Sequence, residues 1–321
     1  MDALGSLLSG PRAQAPFLLR MVMAGSWSVR IEDEAPLTVV AVNRGEILVT
    51  YPDGATHRLL TGSIALFRGT ESYLVGDTAG SPVVAVIDAN GDCYDPTGSQ
   101  PVAEQMRRGV RSWGNADQDA DTVALIGAYQ LGEVGKPLLA ALGRVTVVAA
   151  HDNPLIELLD TELAVTAPAQ EAVLNRLLDL ILVTTLRTHL AADPSQAPRW
   201  YRAHTDPVVG SALALMHNNV ERGWTVESLA DQTGVSRACL ARRFAGLVGE
   251  PPMAYLTDWR LRVAADLLLG SDLTMARIAE RVGYSSAFAF SSAFKRRRGI
   301  TPTEYRRVAA GDVGETRLPM P

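Results

Sequence analysis

Two glycines 49 positions apart, Gly234 and Gly283, constrain the fold of this 321-residue chain more than any other feature. Each lies between two helical segments. Ahead of each stands a large–small pair, Leu229-Ala230 and Ile278-Ala279, and behind each come two apolar residues at i and i+4, Leu240/Phe244 and Phe290/Phe294. The small residue lets the next helix approach closely. The glycine reverses the chain, most easily at positive φ. Ser236 and Ser286 are placed to cap the second helix of each pair, and the i, i+4 apolar pairs turn inward. The faces left outside are Arg237, Ala238, Ala241 and Arg242 in the first unit. In the second they are Ser286, Ala287, Phe288, Ser291 and Ser292, with Lys295 and Arg296 near the end. This is the grammar of a helix-turn-helix, whose second helix enters the major groove. A single hairpin of this kind is also a common way to pack two helices. Two in tandem, each with basic residues on the second helix, are far more specific.

The charge distribution agrees. The net charge of −5 argues against a nucleic-acid partner only as an average: residues 1–202 carry −8, residues 203–309 carry +4 and the last twelve −1. A basic segment joined to an acidic one is the asymmetry expected when one part meets phosphate. The positive charge bunches at Arg242-Arg243 and at the run Lys295–Arg298. Between the two units, 252–269 reads as one helix of about 18 residues, spanning roughly 27 Å. That is close to the roughly 34 Å between successive major-groove faces, so one chain can read two adjacent segments. Arg242 is the best candidate for a bidentate guanine contact, and Phe288 suits a thymine methyl or a neighbouring helix equally. Arg237, Arg243, Lys295 and Arg296 suit phosphates.

At this point the sequence resembles the AraC/XylS family of bacterial transcription regulators. The resemblance covers residues 203–309 and rests on WTVESLADQTGVSRACLARRF (224–244), AYLTDWRLRVAADLL (254–268) and IAERVGYSSAFAFSSAFKRRRGITPTEYRR (278–307). It implies that Ala238, Ala241 and Arg242 face bases from the first recognition helix, and Ala287, Phe288, Ser291 and Ser292 from the second. It leans toward activation, with RNA polymerase as a partner. Ser292 stands where the family often has arginine, and Ala238 and Ala241 have no hydrogen-bonding side chain.

The N-terminal part reads differently. Short apolar runs at 17–23, 27–31, 37–42, 46–51, 63–67 and 83–87, with turns between them, predict a barrel or sandwich, with further strands at 122–131 and 145–149. Residues 92–121 read as a long loop with one short helix. Asn43–Glu46 and Gly62–Gly69 resemble the cupin-like sensor barrel carried by many members of the same family. Segments 127–143 and 250–261 resemble one actinobacterial branch of it. A cupin metal site takes two or three histidines and a carboxylate. Here only His57 of five histidines falls in the barrel, so no metal, cofactor or catalytic residue is expected. A small-molecule pocket is the alternative, with Trp27, Tyr51 and Tyr73 as walls and Arg44 or Arg68 as charge for an acidic effector. Packing of the same aromatics in the core is the competing reading.

The predicted fold class is therefore α+β in two domains. A cupin-like sensor or dimerisation domain spans 1–192 and a linker 193–206. A DNA-binding domain of seven short helices spans 207–309, followed by a flexible tail at 310–321. Helices are expected at 154–164 and 170–192, the second apolar on more than one face, which fits either a core or a homodimer helix. No transmembrane span and no signal peptide are read, and the two cysteines have no metal or disulfide spacing, which together point to the cytoplasm. The competing classes are a cupin-type enzyme with an appended DNA-binding module and an effector-independent DNA binder.

Overall fold

The computed structural model describes residues 17–69, 71–117, 119–129, 132–149, 153–192 and 197–309. The N-terminal start, the first part of the expected linker (193–196) and the tail 310–321 lie outside the described residues. Two compact units form. One holds 17–129 and 142–192. The other holds 197–309 together with the short segment 132–141, so the contacts do not follow one continuous division.

The first unit is built on two six-stranded sheets. Its strands are β1 (Phe17–Met23), β2 (Ser28–Ile31), β3 (Leu37–Arg44), β4 (Glu46–Thr50), β5 (Thr56–Leu60), β6 (Ser63–Arg68), β7 (Tyr73–Gly76), β8 (Val83–Ile87), β9 (Cys93–Tyr94), β10 (Ser112–Gly114), β11 (Thr122–Tyr129) and β12 (Val145–Ala149). One sheet runs β10-β1-β11-β3-β6-β12 and the other β5-β4-β7-β2-β8-β9. Most pairs are antiparallel, but β1/β10 and β2/β8 are parallel. The core lies between the sheets. Met21, Val42 and Phe67 enter it from one side and Val29, Ile47 and Tyr73 from the other.

Along β3 the six residues from Leu37 to Val42 are all buried rather than alternating. The outer face of that sheet is also covered, by α2 (Pro154–Ala164) and α3 (Gln170–Ala192). Strands covered on both faces lose the polar alternation. Gly127 makes room for α3: a Cβ there would collide with the Leu178 side chain. Asp160 of α2 accepts from Arg20 Nε (2.6 Å) and Asn43 Nδ2 (2.9 Å), tying the helix to β1 and β3.

The sequence missed β5, β7, β9 and β10. β5 alternates around exposed polar residues, and β9 and β10 have two and three residues, too short for periodicity to register. The helix expected within 92–121 is not among the described residues there, where a turn at 103–106 takes its place. Cys93, read as a loop residue, is buried on β9, and burial pushes its thiol up to about 11.

The second unit is helical. α1 (Lys136–Leu139) comes from the short inserted segment. It is followed by α4 (Arg199–Ala203), α5 (Pro207–Asn218), α6 (Val226–Gln232), α7 (Arg237–Val248), α8 (Pro252–Gly270), α9 (Met275–Arg281), α10 (Ala287–Arg298) and α11 (Pro302–Ala309). α4 is a short helix within the stretch read as linker. Two clusters form the core, one centred on Leu213, Leu229, Leu240 and Phe244, the other on Leu261, Ile278, Phe290 and Phe294. Helix α8 contributes to both.

Candidate nucleic-acid interface

Both hairpins are built as their residues dictate. Thr225 caps α6 in a capping box with Ser228. Gly234 adopts φ 70° in the turn, and the Ser236 hydroxyl accepts from Cys239 N–H (3.2 Å) to start α7. In the second hairpin Thr274 caps α9, Gly283 adopts φ 75°, and the Ser286 hydroxyl accepts from Ala289 N–H (3.1 Å) to start α10. Leu240, Phe244, Phe290 and Phe294 are fully buried, as the i, i+4 pairs require. Both recognition helices end on a left-handed glycine, Gly249 and Gly299. Ser286 is thus a cap as well as a surface residue.

The outward residues fall where the spacing puts them. Arg237, Ala238, Arg242 and Arg243 are exposed and Ala241 is half-buried. On α10, Ser292, Lys295 and Arg296 are exposed, Ala287 and Ser291 half-buried, and Phe288 is 82% exposed. The side chain of Phe288 therefore stands in solvent rather than in a helix contact. Cys239, on α7, is half-buried.

The basic residues separate into two groups. Arg237 pairs with Glu227 (2.7 Å) and Arg243 with Asp206 (2.7 Å). Asp206 also caps α5 through the N–H groups of Val208 and Val209. Burial opposes its charge, but these N–H groups and Arg243 outweigh that and hold its carboxyl below the usual range. Arg297 pairs with Asp258 (2.6 Å) and Arg298 with Glu133 (2.8 Å). Arg242, Lys295 and Arg296 are exposed and form no ion pair with any described residue, although Lys295 lies near enough to Glu304 to help lower its carboxyl.

Glu133 is a residue the sequence did not single out. It is 7% exposed, and burial works against its charge. Lys136 (2.6 Å), Arg298 and the Tyr305 hydroxyl (3.2 Å) surround it, and the two cations bring its carboxyl below the usual range. Beside it the buried Asp266 of α8 accepts from the backbone N–H of Glu133 (2.6 Å) and Val134 (3.2 Å). A Cβ on Gly132 would run into that carboxylate. The stretch Gly132-Glu133-Val134 is therefore clasped onto α8, α10 and α11. No local pattern reports this, because the partners lie more than 120 positions away.

In the sheet unit, Trp27, Tyr51 and Tyr73 are 0%, 3% and 8% exposed and belong to the core. Arg44 is exposed and bonds the Ala120 carbonyl (3.4 Å), and Arg68 is half-buried. Arg144, which the sequence reading passed over, lies 3.9 Å above the Tyr51 ring and bonds Asp53 and Glu71. Among the described residues no group of three His, Cys, Asp or Glu side chains is placed to hold a metal ion. None of the described helices is long and apolar enough to cross a membrane.

With that geometry in place, similarity to known proteins extends over both units. A cupin family profile matches residues 2–191 and a helix-turn-helix domain profile residues 229–308. A Streptomyces lividans protein named as an AraC-like transcription regulator is 31% identical over 316 residues, covering 96% of this chain and 98% of that one. The HTH-type transcriptional regulator AlkR of Acinetobacter baylyi is 30% identical over 317 residues, covering 96% and 99%. Among solved structures, an AraC-type transcriptional regulator from Chromobacterium violaceum is 33% identical over 34% of this chain and 96% of that one, with a TM-score of 0.32.

Proposed function

The chain belongs to the AraC-like transcription regulators, with a cupin N-terminal domain and an AraC-type DNA-binding domain, and from that premise we propose that it reads two adjacent major-groove segments of double-stranded DNA. The observation that carries this is the outward charge of Arg242, Lys295 and Arg296 on two serine-capped recognition helices whose inner faces are fully buried. The 19-residue α8 joins the two helix-turn-helix hairpins and is about 28 Å long at 1.5 Å per residue. In this reading Arg242 takes a guanine edge, while Phe288, fully in solvent, meets a thymine methyl. Ala238, Ala241, Ala287, Ser291 and Ser292 fit closely along base edges. Lys295 and Arg296 meet phosphates directly, whereas Arg237 and Arg243 do so while shared with their carboxylates.

The test is a binding titration on the preferred sequence recovered from a random DNA pool, and on random DNA, for the wild type and Arg242→Ala. The expected loss is roughly 1–3 kcal/mol on the preferred site, with relaxed choice at one base position. An equal loss on both DNAs would falsify the base-reading role.

Three partners complete the proposal: RNA polymerase, contacted as an activator; a small-molecule effector sensed by the sheet unit, with Arg44 and Arg68 outside its core; and a second copy of the chain. The regulator works in the cytoplasm and by binding, without catalysis. A ligand that prefers one arrangement shifts DNA occupancy by its differential affinity. The names of the full-length relatives support the regulatory role.

A further inference from the structure

A crevice of about 120 Å³ opens in the helical unit beside α8. Trp200, Tyr255 and Trp259 line it, with Val134 and Pro137 from the clasped segment and the carboxylates of Glu250 and Asp258. Its charges are not equivalent. Asp258 is bonded by Arg262 (3.0 Å) and Arg297 (2.6 Å), whose two positive charges more than balance it. Arg262, the lining cation, is committed to it. Glu250 is half-buried and makes no ion pair among the described residues; burial and the nearby Asp258 raise its carboxyl, and the more weakly felt Arg297 and Arg262 oppose that. The Tyr255 hydroxyl is already bonded to His217 Nε2 (2.8 Å), and the Trp259 ring lies against His217, tilted, with centroids 4.1 Å apart. Both rings are thus fixed from behind. What the crevice presents is aromatic surface, two aliphatic side chains and one carboxylate without a direct ion pair.

An anion meets the Glu250 carboxylate there, while both nearby guanidinium groups are engaged by Asp258. A neutral apolar molecule strips water from Glu250 and returns nothing. A small organic cation suits the walls other than Arg262, which is held by Asp258: Glu250 supplies the counter-charge, the aromatic rings supply cation–π attraction, and Val134 and Pro137 pack on its alkyl groups. The volume suits a headgroup-sized ion rather than a drug-sized molecule, which takes roughly 300–1,000 Å³. We propose that this crevice is a binding site for a small alkylammonium ion, separate from any site in the sheet unit. Its consequence, though not the binding, rests on the regulator reading. The ion would lie against α8 between the two helix-turn-helix units and next to Asp258, which anchors Arg297 of the second recognition helix.

The test uses the full chain, choline chloride as probe, and its neutral isostere 3,3-dimethylbutan-1-ol, by titration calorimetry at matched ionic strength. Saturable choline binding is expected, about tenfold or more weaker in Glu250→Gln and in Trp200→Leu, with little or none for the isostere. Circular dichroism and DNA binding without choline show that both variants are folded. No saturation with ~20 mM choline, well past a millimolar Kd, overturns the site. So does equal binding of the isostere, or an unchanged affinity in Glu250→Gln. A second titration reads DNA affinity with choline present. Binding of choline with no change in DNA affinity keeps the site and removes its regulatory consequence, whereas loss of DNA binding without choline bears on the regulator reading alone.

Discussion

At the scale of single residues, the two turn glycines look alike in sequence and differ in cost. Both sit near φ 70° to 75°, where a side chain is strained. Around Gly234 nothing lies within 4 Å of an added Cβ, so Gly234→Ala should cost only the conformational strain, about 1–2 kcal/mol. At Gly283 the Cβ would also stand 2.7 Å from the Glu221 carbonyl and 2.6 Å from the Arg260 guanidinium, which itself is bonded to the Val220 and Arg222 carbonyls. Gly283→Ala should therefore destabilise more, by a further ~1–3 kcal/mol of overpacking. Urea unfolding of both variants measures the difference, and equal midpoints would show that the Glu221 loop yields freely. The turn itself was legible from Gly-Val-Ser and Gly-Tyr-Ser. The closeness of a loop some sixty residues earlier was not, because nothing local encodes it.

At the scale of elements, helices with strong caps and regular apolar spacing were readable nearly to their ends, and both recognition helices begin where Ser236 and Ser286 stand. The second apolar face of α3 was also readable, but not what covers it. Ile181 and Leu182 are 0% and 2% exposed, filled by the chain itself, while Val173 and Leu180, seven positions apart on one stripe, stay 41% and 47% exposed. If α3 carries the proposed dimer, Leu180→Glu should dissociate it by sedimentation with the fold intact, whereas Ile181→Glu should unfold the sheet unit. A dimer that survives Leu180→Glu moves the interface elsewhere. The clasp at Glu133 gives a pH signature. Its carboxyl is lowered from 4.5, so the folded state binds its proton less readily than the unfolded chain. The stabilisation is then full above pH 4.5 and is lost as pH falls through the lowered folded value. Glu133→Gln should lower the stability of the helical unit by up to about 3 kcal/mol near neutrality, because Arg298 loses a partly buried partner. The gap to wild type should narrow as pH falls below 4.5 and close once it passes the lowered folded value. A gap that persists unchanged into acid would mean that packing of the side chain, not its charge, holds the clasp.

At the scale of the whole molecule, the chain is acidic on balance while residues 203–309 carry +4, and part of that positive charge is already spent internally. A count of arginines from the sequence therefore overstates what phosphate can meet. Which cations are tied to carboxylates depends on long-range packing: Arg243 with Asp206, 37 positions away, and Arg298 with Glu133, 165 away. The distinction shows in salt dependence. Each phosphate contact releases counterions and contributes about 0.9 to the slope of log affinity against log salt. Lys295→Ala should remove a free cation, lowering the slope by about 1 and weakening all sequences alike, with stability unchanged. Arg243→Ala should lower it by less, because Asp206 already shares that charge. It should also destabilise the helical unit by about 1 kcal/mol, since a half-exposed pair at the start of α5 is lost. Equal slope losses for the two variants would show that Arg243 releases Asp206 when DNA arrives. The ion pair would then be a resting contact of the unbound protein rather than a limit on its DNA-binding charge.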